Sequence, residues 1–586
     1  MLYPLETATR ELKSLDGIWR LCFDPERRGL DGRYFDGIPP ERALEIAVPG
    51  SINEQLTDRA QYLNLDWVWY ELKFRVPASW RGRRVFLRIG AATHRADVYV
   101  NGRLLASHEG GFTPIEAELT DALRPGAEQL LVVRVDNLLS ATTVPQGGLD
   151  PDLGGVAAWR AGNNPDVHWD FFPFMGIQRP VVLYATGAAR LSSIRLETLA
   201  LERGTARLRA RVNVDGAAER LRLRVAELGL DEAHEIVPGS HELELSLSGV
   251  TGWSPAQPKL YEFELSLEAG GVLLDSYQLP FGMRTLRVEG GQLLLNEEPL
   301  LLRGFGKHED APVVGRGLSL PHLVKDLGLL RWVGANSFRT SHYPYAEEAL
   351  RQADRHGILV IDEVAANTLS MRAVAQPGAR AALAAAHRAQ IDELIERDFN
   401  YACVVAWSLG NECETYLESG DYFGQMVRHA KDQDQSRPVL FVLNSEPAAE
   451  LAAHDFDLIG LNLYPSWYSD CGELEAIAGA LERSVRGFWE RYRKPILLCE
   501  FGADAVAGMH SEYPLMWSEE YQLEMLERVL DAAAAYPYVI GTHVWNFADF
   551  KVGQHPGRVM LNHKGVFTRD RAPKLAAHAL RRRWLR

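Results

Sequence analysis

The strongest constraint on the fold is a change of hydrophobic rhythm near Phe281-Gly282. From there to the end of the chain, short apolar runs that end in polar residues alternate with stretches of helical periodicity. Eight such runs are present, at 299–305, 336–340, 358–364, 404–412, 437–444, 456–464, 495–502 and 539–547. Helical patterns separate most of them, and the interval between the fifth and sixth runs has only a weak one. Eight strand-and-helix units in about 300 residues predict a TIM (β/α)8 barrel.

The part of the chain before this change alternates apolar and polar residues, as β-strands do. A first set of such segments includes 83–90, 95–105 and 129–137, with a turn signal at Asn101-Gly102. A break at 184–187 precedes a second set, which includes 206–214, 219–228 and 241–249. We therefore expect two β-sandwiches in series, over residues 1–185 and 186–282, followed by the barrel over 283–586.

Net charge and cysteine content argue against several classes of function. The 586 residues carry a formal net charge of -15, which disfavours nonspecific binding to nucleic acid or to an anionic membrane. Five scattered cysteines without a CxxC pair argue against a disulfide framework or a zinc site and suit a reducing compartment. The N-terminus lacks an apolar signal core, and no run of about 18 apolar residues suggests a membrane span. We expect a soluble, cytoplasmic protein with no nucleic-acid or membrane partner.

Polar residues at the ends of the predicted barrel strands are the first candidates for chemistry, because active sites of such barrels lie at that face. The fourth strand ends in Asn411-Glu412 and the seventh in Glu500, so their carboxyl groups face each other across the barrel mouth. Glycoside cleavage needs such a pair, one carboxylic acid to protonate the leaving oxygen and one carboxylate to attack, about 5–5.5 Å apart in retaining enzymes. Either glutamate alone could be a salt-bridged strand end, whereas the pair beside Asn411 and Trp545 favours catalysis.

Other signals point to no metal or cofactor. The run Lys307-His308-Glu309-Asp310 has one histidine beside two carboxylates, which is not the ligand set of a catalytic zinc. Cys413 and Cys499 flank the two glutamates, but no histidine is evidently placed to activate either thiol.

Several motifs together resemble one family, glycoside hydrolase family two, and within it the β-glucuronidases. The motifs are DFFPFMGIQRPVVLY (170–184), LLRGFGKHEDAPVVGRG (301–317), NSFRTSHYPYAEE (336–348), AWSLGNE (406–412), LCEFGAD (498–504) and HVWNFADF (543–550). The resemblance covers nearly the whole chain and implies a sugar-binding jelly roll, an immunoglobulin-like sandwich and the barrel. It implies that Glu412 is the acid/base and Glu500 the nucleophile of a retaining double displacement. Cys413 departs from the proline that commonly follows the acid/base, while the Asn-Glu pair is intact.

The last loop carries the expected sugar specificity. In the resembling enzymes an Asn-x-Lys motif grips the sugar carboxylate, and Asn562 and Lys564 match it here, with Arg558 as a second cation. A buried carboxylate requires such charged, oriented partners. The alternative is a basic loop that is merely solvated. The position of the motif just after WNFADF favours a role in binding the sugar carboxylate.

The resemblance also assigns pocket roles to Asp170, which would contact a sugar hydroxyl, and to His342, Tyr464, Tyr468 and Trp545. Aromatic residues at barrel mouths are often only packing residues, so each assignment remains a hypothesis. We expect the substrates to be small-molecule or oligosaccharide glucuronides, because the short stretch 365–381 leaves the aglycone side open. We also expect a homo-oligomer, a dimer or a tetramer.

Five alternatives stay open at this point. A β-galacturonidase would keep the carboxylate grip, whereas a β-galactosidase or β-mannosidase would not need it. A noncatalytic carbohydrate-binding protein conflicts with the intact glutamate pair. A metal-dependent barrel hydrolase lacks a credible histidine set.

Overall fold

The computed structural model describes residues 1–124, 126–159 and 162–586. Along the chain it shows two β-sandwiches and a closed eight-stranded barrel, which confirms the predicted fold class. None of the helices formed by the described residues is both long and apolar enough to cross a membrane.

The first sandwich consists of a six-stranded sheet in the order β3-β2-β4-β10-β7-β8 and a four-stranded sheet in the order β1-β12-β5-β9. Its strands are β1 Glu11–Ser14, β2 Gly17–Phe23, β3 Leu44–Val48, β4 Val68–Phe74, β5 Arg84–Ile89, β6 Ala92–Thr93, β7 Arg95–Val100, β8 Arg103–Glu109, β9 Ile115–Glu118, β10 Gln129–Asp136, β11 Gly176–Ile177 and β12 Val181–Thr186, with short helices α1 Ile52–Gln55 and α2 Arg59–Tyr62. Asn101 and Gly102 join β7 to β8 with φ of 52° and 82°, the left-handed values that make Asn-Gly the favoured hairpin turn.

The second sandwich pairs the sheet β13-β14-β17 with the sheet β16-β15-β18-β19. Its strands are β13 Arg190–Glu202, β14 Thr205–Asp215, β15 Arg220–Val225, β16 Leu230–Glu235, β17 Gly239–Ser248, β18 Tyr261–Ala269 and β19 Val272–Phe281. Within β15, Leu221, Leu223 and Val225 are buried while the intervening arginines are exposed. A strand with one face on the core and one in solvent requires this alternation.

The barrel follows a three-stranded sheet of β20 Leu286–Glu289, β21 Gln292–Leu295 and β22 Glu298–Pro299. Its eight parallel strands are β23 Leu302–Gly306, β24 Ser337–Arg339, β25 Leu359–Glu363, β26 Val404–Asn411, β27 Val439–Leu443, β28 Leu458–Asn462, β29 Ile496–Glu500 and β30 Val539–Val544. All eight predicted strands are confirmed. The helices are α3 Leu320–Val333, α4 Glu347–His356, α5 Pro377–Asp398, α6 Tyr422–Gln433, α7 Ile477–Leu481, α8 Gly487–Tyr492, α9 Glu519–Ala533 and α10 Leu575–Trp584, and a short ribbon joins β31 Phe550–Lys551 to β32 Leu561–Asn562. Residues 444–457, between β27 and β28, form no helix, in agreement with the weak pattern there.

A long excursion of the first sandwich covers part of the barrel mouth. Between β10 and β11 the chain crosses to the loops that follow β25 and β26. There Ser370 N–H donates to Gln146 Oε1 at 2.6 Å, and His168 Nε2 lies 3.2 Å from the carbonyl oxygen of Thr368. This excursion brings Asp170 to the C-terminal ends of the barrel strands.

The base of β26, the strand that leads to Glu412, is anchored by a buried ion pair. Asp434 accepts hydrogen bonds from Trp407 Nε1 at 2.9 Å and from Arg437 Nη1 at 2.7 Å. Arg437 also donates to the carbonyl oxygen of Val404 at 2.8 Å. Burial alone would raise the pKa of Asp434, but Arg437 and the neighbouring donors lower it to about 2.

We predict that Asp434→Asn lowers the stability of the barrel at pH 7 by about 2 kcal/mol, since each pKa unit corresponds to about 1.4 kcal/mol. A carboxylate with a depressed folded-state pKa stabilises the fold above its unfolded pKa and loses this contribution as the pH falls towards its folded pKa. The difference in Tm between variant and wild type should therefore shrink between about pH 4 and pH 2. The exposed neighbour Asp432→Asn is the matched control and should leave Tm unchanged. A difference that persists at pH 2 would contradict the assignment.

Candidate active site

A cleft of about 730 Å³ opens at the C-terminal face of the barrel. Eight of the eleven residues singled out in the sequence line it, namely Asp170, His342, Asn411, Glu412, Tyr464, Tyr468, Glu500 and Trp545. The other three, Arg558, Asn562 and Lys564, lie behind its wall, where they bond to Asp170 or Tyr468. The structure therefore brings all eleven together from distant parts of the chain.

Glu500, the last residue of β29, is buried and accepts hydrogen bonds on both oxygens. Tyr464 Oη donates to Oε2 at 2.6 Å, and Arg339 Nη2 donates to Oε1. Burial raises the pKa of Glu500 to about 8, and the charge of Glu412 adds to the rise, while Arg339 and Tyr464 oppose it.

Arg339 is a functional residue that the sequence reasoning missed. It ends β24, and its side chain has no exposed surface. Nη1 donates to Glu363 Oε1 at 2.8 Å and Oε2 at 2.7 Å, and Nη2 pairs with Glu500. A guanidinium buried between two carboxylates satisfies charges that would otherwise be prohibitively costly to bury. The signal available in the sequence was its place at a strand end, the same signal that identified Glu500.

Glu412 follows β26 in a left-handed conformation, with φ of 50°. Its Oε1 accepts a hydrogen bond from Asn462 Nδ2 at 2.7 Å. Burial raises the pKa of Glu412, against the effects of Asn462 and the more distant Arg339. Asn462, which ends β28, was also missed in the sequence.

The two carboxyl groups therefore compete for protons, because each charge raises the pKa of the other. Burial opposes ionisation at both, and the pKa of about 8 at Glu500 runs against a role as an ionised group. The hydrogen-bond partners distinguish the two carboxyl groups in the opposite direction. Glu500 receives a permanent cation and a phenol, whereas Glu412 receives neutral amide donors. A single proton on the pair consequently resides on Glu412.

Asn411 is held by amides and by the buried arginine. Its Nδ2 donates to Asn367 Oδ1 at 2.9 Å, and its Oδ1 accepts from Asn462 Nδ2 at 3.1 Å and from Arg339 Nη1 at 3.4 Å. An amide nitrogen has two N–H donors. The bond to Asn367 uses one and fixes the direction of the other.

His342 is oriented by Glu363 and by an aromatic ring. Its Nδ1 lies 2.8 Å from Glu363 Oε1, and its ring stacks on Trp545 with centroids 5.2 Å apart. Burial lowers the pKa of His342 although Glu363 opposes the change. In the neutral ring the acceptor-only carboxylate places the proton on Nδ1, which leaves Nε2 as an acceptor.

At one end of the cleft, two cations meet two aspartates. Arg558 donates through Nε to Asp170 Oδ2 at 3.0 Å, and Asn562 Nδ2 donates to the same oxygen at 2.9 Å. Lys564 Nζ donates to Asp504 Oδ2 at 2.5 Å and to Tyr468 Oη at 3.0 Å. We call these residues the cation cluster: Arg558, Asn562, Lys564, Tyr468, Asp170 and Asp504. Asp504 is the member that the sequence reasoning missed.

Neither cysteine beside the glutamates is poised for reaction. Burial raises the pKa of Cys413 and of Cys499 to about 12, so both thiols stay protonated near neutrality. Among the described residues, no group of histidine, cysteine, aspartate or glutamate side chains is arranged to hold a metal ion.

Comparisons with known proteins agree with this architecture. Three family models match consecutive parts of the chain: the sugar binding domain of glycosyl hydrolases family 2 over residues 12–187, the glycosyl hydrolases family 2 domain over 189–284, and the TIM barrel domain of the same family over 286–586.

Individual relatives match over the full length. A β-glucuronidase of Paenibacillus borealis is 39% identical over 594 residues, which cover 100% of this chain and 98% of that protein. The structure of a β-D-glucuronidase from Dictyoglomus thermophilum is similar with a TM-score of 0.90 and 37% identity, covering 100% of this chain and 99% of the other. The β-glucuronidase of Ruminococcus gnavus in complex with D-glucuronic acid has a TM-score of 0.90 and 36% identity, with the same coverage. By sequence and by fold, this chain belongs to glycosyl hydrolases family 2.

Proposed function

We propose that the chain is a retaining β-glucuronidase that hydrolyses β-D-glucuronides through a covalent glycosyl-enzyme. The main support is the cation cluster beside the Glu412 and Glu500 pair. Its cations could bind the carboxylate of a sugar acid next to two carboxyl groups of the kind that cleave glycosides. The relatives named above, which are β-glucuronidases, support the same activity.

In the first step Glu500 attacks the anomeric carbon and Glu412 donates its proton to the glycosidic oxygen. The bond from the anomeric carbon to that oxygen breaks, the aglycone leaves with the proton, and a glycosyl ester forms on Glu500. Arg339 and Tyr464 favour the ionised form of Glu500 that this step requires. The second N–H of Asn411 would donate to the sugar 2-hydroxyl, a contact that strengthens in the transition state.

In the second step Glu412 acts as a base. The ester removes the charge of Glu500, so the pKa of Glu412 falls and its carboxylate takes a proton from water. The water oxygen bonds to the anomeric carbon, the ester bond breaks, and Glu500 leaves as a carboxylate. Two inversions restore the starting configuration.

Sugar recognition follows from charge. Lys564, Arg558 and Asn562 would bind the substrate carboxylate, with Tyr468 as a further hydroxyl donor. Asp170 and the Nε2 acceptor of His342 would receive sugar hydroxyls, and Trp545 would pack against the ring. A β-galacturonide offers the same carboxylate, so a comparison of kcat/KM for nitrophenyl β-glucuronide and nitrophenyl β-galacturonide would test the preferred C4 configuration.

On the aglycone side we propose an open site for small-molecule or oligosaccharide glucuronides. The stretch between β25 and α5 supports this, because it is short and spans only residues 364–376. We also propose that the protein is cytoplasmic, which its free cysteines suit, and that it is a dimer or tetramer. We further propose that the domain boundaries follow residues 185 and 282. Sedimentation analysis would test the oligomeric state.

The catalytic assignment predicts different effects for the two glutamates. Glu500→Ala should lose turnover and regain it with azide, giving an α-glycosyl azide, because the small anion replaces the missing nucleophile. Glu412→Ala should lose about 10²- to 10⁴-fold on poor leaving groups and much less on good ones, which need less protonation. Product NMR would check the mechanism, and inversion at the anomeric carbon would contradict it.

The pH profile provides a second prediction. The dependence of kcat/KM on pH should be bell-shaped, with its alkaline limb above the ordinary carboxylic range, because burial raises the pKa of both Glu412 and Glu500. In Glu412→Gln, assayed with a dinitrophenyl glycoside, the alkaline limb should disappear. The acid limb should stay in place, since Glu412 is protonated and uncharged where Glu500 loses its proton, so that glutamine changes no charge there. An unchanged alkaline limb in this variant would assign it to another group.

Specificity provides a third prediction. Lys564→Ala should lower kcat/KM for the nitrophenyl glucuronide by at least about 100-fold, the scale of a lost charge-assisted bond of about 3 kcal/mol. The loss on the matching β-glucoside should be far smaller, because that substrate has no carboxylate. The ratio of the two kcat/KM values is decisive, since misfolding would depress both. An unchanged ratio would favour a neutral-sugar β-glycosidase of the same family.

A further inference from the structure

Asp504 occupies a position in the cation cluster that the catalytic scheme does not use. It lies four residues after Glu500, beyond the end of β29, and its side chain has no exposed surface. Its Oδ1 accepts the backbone N–H of His563 at 2.7 Å, and its Oδ2 accepts Lys564 Nζ at 2.5 Å. One carboxylate therefore fixes both the backbone beside Lys564 and the end of its side chain.

The surroundings of Lys564 explain why its ammonium needs the Asp504 carboxylate nearby. The rings of Tyr464, Trp467 and Tyr468 lie with centroids 5.8, 5.4 and 5.1 Å from Nζ. The ammonium has no exposed surface. An ammonium enclosed by aromatic rings has lost its hydration, so a charged form without an anion nearby would be costly.

The second cation of the cluster, Arg558, also needs an anion nearby. Arg558 Nη1 lies 3.5 Å from the same Asp504 oxygen, while its other nitrogens bond to Asp170. Arg558 and Lys564 would repel each other if no carboxylate lay between them. Before a substrate enters, Asp504 is thus the anion shared by Lys564 and Arg558, and Asp170 is a second anion beside Arg558.

We propose that Asp504 is a positioning residue for substrate recognition, which keeps the Lys564 ammonium charged and aimed at the sugar carboxylate. The inference rests on the proposed function, since it concerns the same carboxylate. Burial by itself would raise the pKa of Asp504, but Lys564 and Arg558 hold it below its usual range, so the anion persists well into acid. Two donors of Lys564 are committed to Asp504 and Tyr468, which leaves its third N–H for the substrate.

The test is Asp504→Asn, in which an amide oxygen still accepts the His563 N–H but the charge is gone. In the empty variant pocket Lys564 faces Arg558 without the shared anion, so it loses its proton more readily and a glucuronide must bind together with a proton. At pH 8 we expect kcat/KM for nitrophenyl glucuronide to fall about 10- to 100-fold, mainly through KM. The loss should grow as the pH rises from 6 to 8.5, and the β-glucoside should show neither effect.

Asp549→Asn is the matched control. Asp549 is an equally buried aspartate that accepts from Lys574 Nζ at 2.7 Å, and Lys574 also donates to the carbonyl oxygen of His563. This variant breaks a comparable ion pair in the loop that carries Lys564, but outside the cleft. It should affect both substrates equally at every pH, leaving their ratio unchanged.

A double-mutant comparison keeps the proposal testable if Asp504→Asn folds poorly. Lys564→Met and Lys564→Met/Asp504→Asn should have the same ratio of glucuronide to glucoside kcat/KM, because Asp504 acts through Lys564. A further loss of this ratio in the double variant would overturn the proposal. So would tighter binding of the glucuronide by Asp504→Asn at pH 8, or a ratio that does not depend on pH.

The wild-type protein separates this inference from the proposed function. If wild type does not prefer the glucuronide over the glucoside, the proposed function fails. If wild type prefers the glucuronide and Asp504→Asn keeps the wild-type ratio from pH 6 to 8.5, only the role of Asp504 fails.

Discussion

The buried guanidinium of Arg339 is the interaction on which the cleft depends. It joins Glu363 at the end of β25 to Glu500 at the end of β29, and none of its surface reaches solvent. Two carboxylates at this depth are tolerable only with a cation between them, and removal of one partner from a buried pair typically costs about 3–5 kcal/mol. The same contact orients Glu500 and favours its ionised form. The stability of this region and the ionisation of the proposed nucleophile therefore depend on the same contact.

The opposite end of the cleft repeats this arrangement with the signs exchanged. There Asp170 and Asp504 compensate the cations Arg558 and Lys564, the groups that we propose bind the substrate carboxylate. A pocket that already balances its charges remains folded when empty. The proposed reaction centre and the proposed recognition centre are thus two compensated ion clusters, with aromatic rings lining the space between them.

The cleft is assembled from separate units. The barrel supplies both glutamates, whereas the first sandwich supplies Asp170 through the excursion that crosses the loops after β25 and β26. Glu414, two residues after Glu412, is buried and accepts from the backbone N–H of Met371 at 2.9 Å and of Val156 at 3.4 Å. One carboxylate therefore ties the loop carrying Glu412 to the sandwich, so the relative position of the two units bears directly on the site.

The sequence by itself determined the eight barrel strands and the glutamates at the ends of two of them, because apolar runs and the polar residues that end them are local features. It also placed the residues of the last loop beside them, through resemblance. Only the tertiary structure decided which polar residues meet. Asp362 and Glu363 are neighbours, yet Glu363 bonds to Arg339 while Asp362 faces Asp398 on α5, because adjacent strand residues point to opposite sides of the barrel wall. Arg339, Asn462 and Asp504 were missed for a related reason: their partners lie up to 161 residues away, and only the closed barrel and the loops that follow its strands bring them together.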